Sequence, residues 1–333
     1  MTTPTADQMQ VIVKASAEFW QVPIEYAANQ LDAIKIIKFT GGKVSGVLPS
    51  CSDFPSVFFK AYFNNAFLFE KAGLEAAAKM PMVEGVRTPT VLSIMPDQKA
   101  IIMEKRSWED TSSPWKRLWV NRLGIDWFKV GKWLRAFHDT QVTTERNDYF
   151  LRKKFEKFEF YLNELQSLFS ETQLGKMRAI AQNAKEYFQN NTCEWVISHG
   201  DFGLDNIKKS GSELEIIDFE DCQPAPRAFD LLNCIIRMNH FFLRPRVRFH
   251  NQRINNCLLA GYGYTFQLSP GEKFLELLIR LDLLETYKRR ANDKSIDLHK
   301  KAVYSFFKNQ KLNEISFFIN KHVNSIQCYG LLW

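Results

Sequence analysis

The chain has 333 residues, 45% of them hydrophobic, and carries 44 Lys and Arg against 37 Asp and Glu for a formal charge of +7. That is apolar material enough for a sizeable core and two subdomains, while no apolar run approaches the roughly 18 residues a membrane helix needs. The polar start Met1 to Gln8 does not read as a secretory signal, and the six cysteines lie far apart without a Cys-x-x-Cys pair, which argues against a zinc cluster or disulfide framework and for reduced thiols in the cytoplasm.

After a helical N-terminal extension, Ile34 to Phe39 is a β-like run, apolar apart from Lys35 and Lys38, and leads into Thr40-Gly41-Gly42-Lys43-Val44-Ser45-Gly46. Glycines there give main-chain N–H groups room to approach phosphates, so Gly41, Gly42 and Ser45 are candidates for a phosphate-covering loop. A plain hairpin turn would use Gly41-Gly42 as well. Val57 to Phe63 reads as the next strand, with Lys60 set inside an otherwise apolar run where a cation needs a partner or an outward face. Phe67 to Met80 is rich in helix formers despite Gly73, and Val91–Met95 and Ala100–Glu104 are two strands separated by the turn Pro96-Asp97-Gln98.

From about residue 118 the periodicity becomes helical. Trp127, Val130, Trp133, Leu134 and Phe137 form an apolar face that ends at His138, which reads as a buried, hydrogen-bonded core residue. A second helical stretch runs from Phe155 to roughly Asn190.

The most informative stretch follows, from Trp195 to Asp221. An apolar run leads into a loop holding His199, Asp201 and Asn206; Lys208 to Glu213 reads as a hairpin turn; and a further apolar run ends at Asp218. Phosphoryl transfer needs a base or orienting carboxylate for the attacking hydroxyl and oxygen ligands that hold Mg²⁺ against nucleotide phosphates. Asp201 suits the first task, and Asn206 with Asp218 the second. The five-residue step from Asp201 to Asn206 lets one loop turn both toward one phosphate, and the hairpin returns Asp218 beside Asn206.

His199-Gly200-Asp201, Asn206 and Ile217-Asp218-Phe219-Glu220 together resemble the catalytic core of the aminoglycoside phosphotransferase and choline kinase family. The resemblance implies an α+β, protein-kinase-like two-lobed fold: a β-rich small N-terminal lobe over residues 1–104, and a mostly helical large lobe over 105–333 that carries the catalytic loop (195–221) and substrate-binding helices. It further implies that Asp201 is the catalytic base, that Asn206 and Asp218 hold magnesium, and that His199 supports the loop. Glu220 would contact a second metal or cap the turn. Lys60 would be the nucleotide-phosphate lysine and Glu75 its ion-pair partner, with Glu70 as the alternative. Met103 and the backbone near Glu104 would meet the adenine ring. Asp230 would brace a loop or cap a helix.

The expected activity is therefore transfer of a γ-phosphoryl group from ATP, or GTP, to the hydroxyl of a small molecule, with Mg²⁺ as cofactor. A nucleotide- or partner-binding pseudokinase is the alternative, disfavoured by the intact Asp201, Asn206 and Asp218. From Asp221 onward 17 Lys and Arg face 9 Asp and Glu, so the preceding 220 residues carry about −1. The clusters Phe241 to His250 and Lys288-Arg289-Arg290 would suit an anionic acceptor or form a solvated face. No recognised nucleic-acid module accompanies them, and oligomeric state is not legible.

Overall fold

The computed structural model describes residues 4–40, 42–51, 54–106, 124–238, 245–265, 269–296 and 298–323. The chain divides into two units. One comprises Met1–Ser113 with His199–Asp201 and Asp205–Gln223; the other comprises Pro114–Ser198, Phe202–Leu204 and Pro224–Trp333.

In the first unit, helices α1 (Ala6–Trp20) and α2 (Ile24–Asn29) precede the sheet. Helix α1 is started by a capping box, in which the Thr5 hydroxyl accepts from the Gln8 amide while the Gln8 side chain accepts from the Thr5 amide. Its Ile12, Val13 and Trp20 join a core with Val44, Phe59, Ala61 and Ile102. The strands β1 (Lys35–Thr40), β2 (Lys43–Leu48), β3 (Val57–Tyr62), β5 (Val91–Met95) and β6 (Ala100–Glu104) form one antiparallel sheet in the order β1-β2-β3-β6-β5. Strand β1 lies at the edge, where Lys35 and Lys38 discourage pairing with other chains. Helix α3 (Ala66–Lys79) follows β3 and buries Phe67, Glu70, Gly73, Leu74 and Ala77, a stripe at i, i+3, i+4 spacing.

A second sheet ties the later stretch to this unit. Strands β9 (Ile207–Ser210) and β10 (Glu213–Ile216) form the expected hairpin, and β10 pairs in parallel with the short strand β4 (Val86–Arg87) through Leu214 opposite Val86. Arg106 donates to the Glu213 carboxylate at 3.1 Å across the same contact. Residues 205–221 therefore belong with the sheet, whereas the sequence grouped all of 195–221 with the helices after residue 104; Trp195–Ser198 do lie in the helical unit. The sequence does not reveal pairing between strands more than a hundred residues apart.

The second unit is helical. Helix α4 (Trp127–His138) buries the apolar face read from its periodicity. The long helical stretch is two helices, α5 (Asp148–Leu165) and α6 (Glu171–Asn190), separated because Ser170 caps the second in a capping box with Gln173. Helices α7 (Ala228–Met238), α8 (Pro245–Tyr262), α9 (Pro270–Asn292) and α10 (Leu298–Val323) complete it. A small sheet joins β7 (Val142–Thr143), β8 (Trp195–Ser198) and β11 (Gln223–Pro226) in the order β11-β8-β7. Phe150, Phe158, Trp195, Phe229 and Phe274 anchor one large core.

His138 is fully buried, as its place at the end of an apolar helix suggested. Its Nε2 donates to Asp230 at 3.0 Å, and its Nδ1 accepts from the Tyr262 hydroxyl at 2.6 Å. Burial pulls its pKa down, which suits this neutral tautomer. Arg227 adds a bond to the same hydroxyl at 3.1 Å. Asp230 is thus a brace within the first turn of α7, not a cap ahead of it.

Candidate active site

Strand register explains how charged side chains gather on one face of the first sheet. Ser45 lies opposite Lys60, and Lys43 opposite Tyr62, so residues two apart put Lys43, Ser45, Lys60 and Tyr62 on the same side. Met103 opposes Phe58 on the neighbouring strand and shares that side with Lys60. Strand β2 begins at Lys43, so Ser45 sits within the strand, not in a loop that extends to Gly46. Gly41 lies outside the described residues.

The Lys60 ammonium is 2.8 Å from Glu70 Oε1 and 2.7 Å from Asp218 Oδ1. Its partner on α3 is therefore Glu70. Glu75 lies on the opposite side of the helix, half exposed, and faces Lys71 at 3.8 Å. Helix phase decides between them, because Glu70 falls on the stripe of Phe67, Gly73, Leu74 and Ala77 and Glu75 does not. That stripe was present in the sequence as a signal. Gly73 on the same stripe comes close to the side chains of Phe219 and Cys222: a Cβ there would stand 2.7 Å from the Cβ of Phe219, so only glycine lets α3 seat against them.

Burial by itself would lower the pKa of Lys60, but the charges of Glu70 and Asp218 carry it above its ordinary value. Burial would likewise raise Asp218; Lys60, then Lys43, override it and hold the carboxyl well below the usual range. Lysine and aspartate are both held charged. Asp218 also has φ +70°, a left-handed conformation that costs an aspartate about 1 kcal/mol or more and persists only where its surroundings demand it.

The loop before the hairpin is equally constrained. Gly200 has φ +84°, and a Cβ there would lie 2.1 Å from the carbonyl oxygen of Asp221, so no other residue fits between His199 and Asp201. His199 is buried, and its Nε2 donates to the Ile217 carbonyl at 3.0 Å while its ring packs on Phe219 at 4.7 Å. It ties the loop to the strand that carries Asp218. Asn206 Nδ2 donates to the Asp201 carbonyl at 2.9 Å and to Asp201 Oδ2 at 3.2 Å. That orientation turns the amide oxygen of Asn206 away from Asp201. The Ile217 amide donates to the Asn206 carbonyl at 3.0 Å, which sets Asn206 beside the end of β10.

Lys43 was not among the residues singled out from the sequence. It is 5% exposed, stands 3.3 Å from Asp218 Oδ1 and pairs closely with Glu220. A lysine next to two glycines reads as a turn residue, and only the tight β1–β2 turn puts it on the buried face. Glu220 is accordingly an ion-pair partner of Lys43. At the far end of the sheet, the Glu104 amide donates to the Thr90 carbonyl at 2.9 Å and its carboxylate accepts from Arg87 at 3.0 Å. The amide of Glu104 is thus held by the residue just before β5.

A hard divalent cation fits this donor set. Asp218 and Glu220 present carboxylate oxygens and Asn206 an amide oxygen, and the two ammonium groups already drawn to Asp218 show that the position attracts cations. Among the described residues no group of three or more His, Cys, Asp or Glu forms a metal cage, so such an ion would complete its shell with water and phosphate oxygens, as Mg²⁺ does. A carboxylate, an amide oxygen and a buried lysine positioned in this way are the parts that phosphoryl transfer uses.

In the second basic cluster Arg289 and Arg290 are exposed. Lys288 donates to the Glu164 carbonyl, Arg289 faces Glu285 at 3.4 Å and Arg290 donates to Tyr304 at 3.2 Å. Of the run Phe241 to His250, the first four residues and the side chains of the remainder lie outside those described.

Comparison with known proteins agrees with this geometry. The model of the APH phosphotransferase enzyme family matches residues 76–263, more than half the chain. The match includes Asp201, Asn206 and Asp218 and begins downstream of Lys60 and Glu70. No match is found among curated protein sequences. Among solved structures, the chain is similar to a choline/ethanolamine kinase family protein from Mesorhizobium loti, at 14% identity and a TM-score of 0.56 over 93% of this chain and 95% of that one. It is also similar to APH(2")-IIa in its ternary complex with streptomycin and ATP, at 12% identity and a TM-score of 0.52 over 95% and 97%. The amicoumacin kinase hAmiN, in complex with AMP-PNP, Ca²⁺ and Ami, matches at 12% identity and a TM-score of 0.53 over 85% and 89%. The fold is the protein-kinase-like one, with a β-sheet N-terminal region and a mostly helical C-terminal part.

Proposed function

Because the chain belongs to the phosphotransferase enzyme family, we propose that it is an ATP-dependent kinase that transfers the γ-phosphoryl group to a hydroxyl of a small molecule. The single observation that carries this reading is the linked set Glu70–Lys60–Asp218, at 2.8 and 2.7 Å, with Asn206 anchored to Asp201 in the adjoining loop. The ATP and AMP-PNP complexes among the similar structures support the nucleotide.

Each residue then has a task. Lys60, fixed by Glu70, binds nucleotide phosphate oxygens with a compact charge. Asp201 accepts a hydrogen bond from the acceptor hydroxyl, orients it and takes its proton as the phosphoryl group moves. Asn206 keeps the Asp201 carboxylate in place. Asp218 and the amide oxygen of Asn206 would hold magnesium, with Glu220 as a further oxygen donor. Magnesium, when bound, neutralises charge building on the phosphate oxygens and aligns them. His199 and Gly200 hold the loop at the spacing these roles need.

The acceptor follows from none of these contacts. An anionic acceptor is supported only by the charge of the last third, and the intramolecular partners of Lys288, Arg289 and Arg290 weaken that support. The test is a screen of sugars, sugar phosphates, amino alcohols and nucleosides with Mg·ATP and Mg·GTP, read by mass spectrometry of the products. The expected result is a phosphorylated product with at least one acceptor, strongly reduced with Asp201→Asn. Nucleotide binding without transfer to any acceptor would instead indicate a pseudokinase.

A further inference from the structure

Lys43 is a buried cation without a part in the scheme above. Its ammonium touches two of the residues assigned to the metal, Asp218 Oδ1 at 3.3 Å and Glu220 in a close ion pair, while Lys60 holds the same Asp218 oxygen at 2.7 Å. Two ammonium groups thus face the three carboxylates Glu70, Asp218 and Glu220. The cluster carries −1, and without Lys43 it would carry −2. A divalent ion entering the present cluster meets carboxylates whose charge is already largely neutralised, and it must displace an ammonium to use both. Lys60 is not the group to move, because Glu70 anchors it from the other side. Among the partners described here, Lys43 is held only by Asp218 and Glu220. It stands at the start of β2, on a flexible four-carbon stem.

We propose that Lys43 is a built-in counter-cation of the Asp218–Glu220 pair, which holds these carboxylates against free divalent metal and yields to the metal–nucleotide complex, whose phosphates offer its charge a new partner. The inference rests on the reading of Asp218 and Glu220 as metal-side carboxylates. Metal alone then binds weakly and metal with nucleotide binds well, so the site loads both together. Register selects this lysine: Ser45 opposite Lys60 puts Lys43 on the active face, whereas a one-residue slip would turn it away.

The experiment measures Mn²⁺ binding without nucleotide, by electron paramagnetic resonance of free Mn²⁺, in wild type, Lys43→Met and Lys43→Arg. Methionine keeps the stem and removes the charge; arginine keeps the charge. Lys43→Met should bind Mn²⁺ about fivefold or more tightly, as loss of a like charge a few ångströms from the ion requires, and Lys43→Arg should stay near wild type. Unchanged or weaker binding in folded Lys43→Met overturns the proposal. Should that variant not fold, wild type supplies the answer: labelling of Lys43 by an amine-acylating reagent should rise several-fold at saturating Mn²⁺, and unchanged labelling overturns the proposal. Asp218→Asn separates the two readings. If it abolishes the Mg²⁺ dependence of ATP binding while Lys43→Met leaves Mn²⁺ affinity unchanged, the counter-cation is wrong and the kinase site stands. If Asp218→Asn leaves that dependence intact, the metal assignment itself has failed.

Discussion

Buried ionisable groups gather in both units, and the two gatherings differ in kind. In the helical unit, His138 and Asp230 are each fully buried, and their polar atoms are matched by Tyr262 and one another; Arg227 is matched by Asp139, Glu194 and Tyr262. In the sheet unit, Lys43, Lys60 and Glu70 are buried, while Asp218 and Glu220 keep 21% and 29% of their side chains exposed, and Asp218 sits in a strained backbone conformation. Burial and pairing occur in both places and so do not mark a site. Partial access, backbone strain and an excess of carboxylate do, because they leave something for a ligand to complete.

Perturbing each cluster tests that contrast. The largest effect is expected from Asp201→Asn, which should lower turnover by roughly 10²–10⁴-fold, the usual worth of a general base, and leave Mg·ATP affinity within a few-fold by calorimetry. Substantial turnover would remove Asp201 from its role. Next is Lys311, buried in the helical unit beside Glu314, where burial pushes its pKa down to about 8 from the usual 10.5. The unfolded chain holds that proton more tightly than the folded one, so stability rises with pH between about 8 and 10.5 and the full penalty is present below 8. Lys311→Met should abolish this rise and stabilise the protein at neutral pH by on the order of 3 kcal/mol, from the size of the shift, as read by urea denaturation across pH. A variant with the wild-type slope would contradict the assignment.

A smaller effect is expected of His138→Phe. It removes the hydrogen bonds of the imidazole to Asp230 and Tyr262 and should cost about 2 kcal/mol of stability without altering nucleotide affinity; a drop in Mg·ATP binding at full folding would place this network in the site after all. Smallest is the pair on α3. Glu70→Gln should weaken Mg·ATP binding about tenfold, a change of about 1.4 kcal/mol, whereas Glu75→Gln should stay within about 0.5 kcal/mol of wild type, as surface substitutions do. The reverse ranking would restore Glu75 as the partner of Lys60.

Much of this was legible because chemistry and chain order coincide between Trp195 and Asp221. Asp201, Asn206 and Asp218 are joined by one loop and one hairpin, so their proximity needs only local structure. Lys60 was legible as a lone cation in an apolar strand. Where the site depends on geometry between distant segments, sequence reading weakened. Glu70 against Glu75 turns on which helix face meets Phe219, a contact that passes through Gly73. Lys43 depends on the length of a turn, since one residue more in the β1–β2 hairpin would reverse its direction. The acceptor remains unread because no motif in the helical unit carries it.

The most direct test of the central claim needs no acceptor. ATP affinity is measured by calorimetry with and without Mg²⁺, for wild type and for Asp218→Asn. The account predicts that Mg²⁺ strengthens ATP binding to wild type and that Asp218→Asn loses this gain while remaining folded. An equal Mg²⁺ effect in both proteins would contradict it.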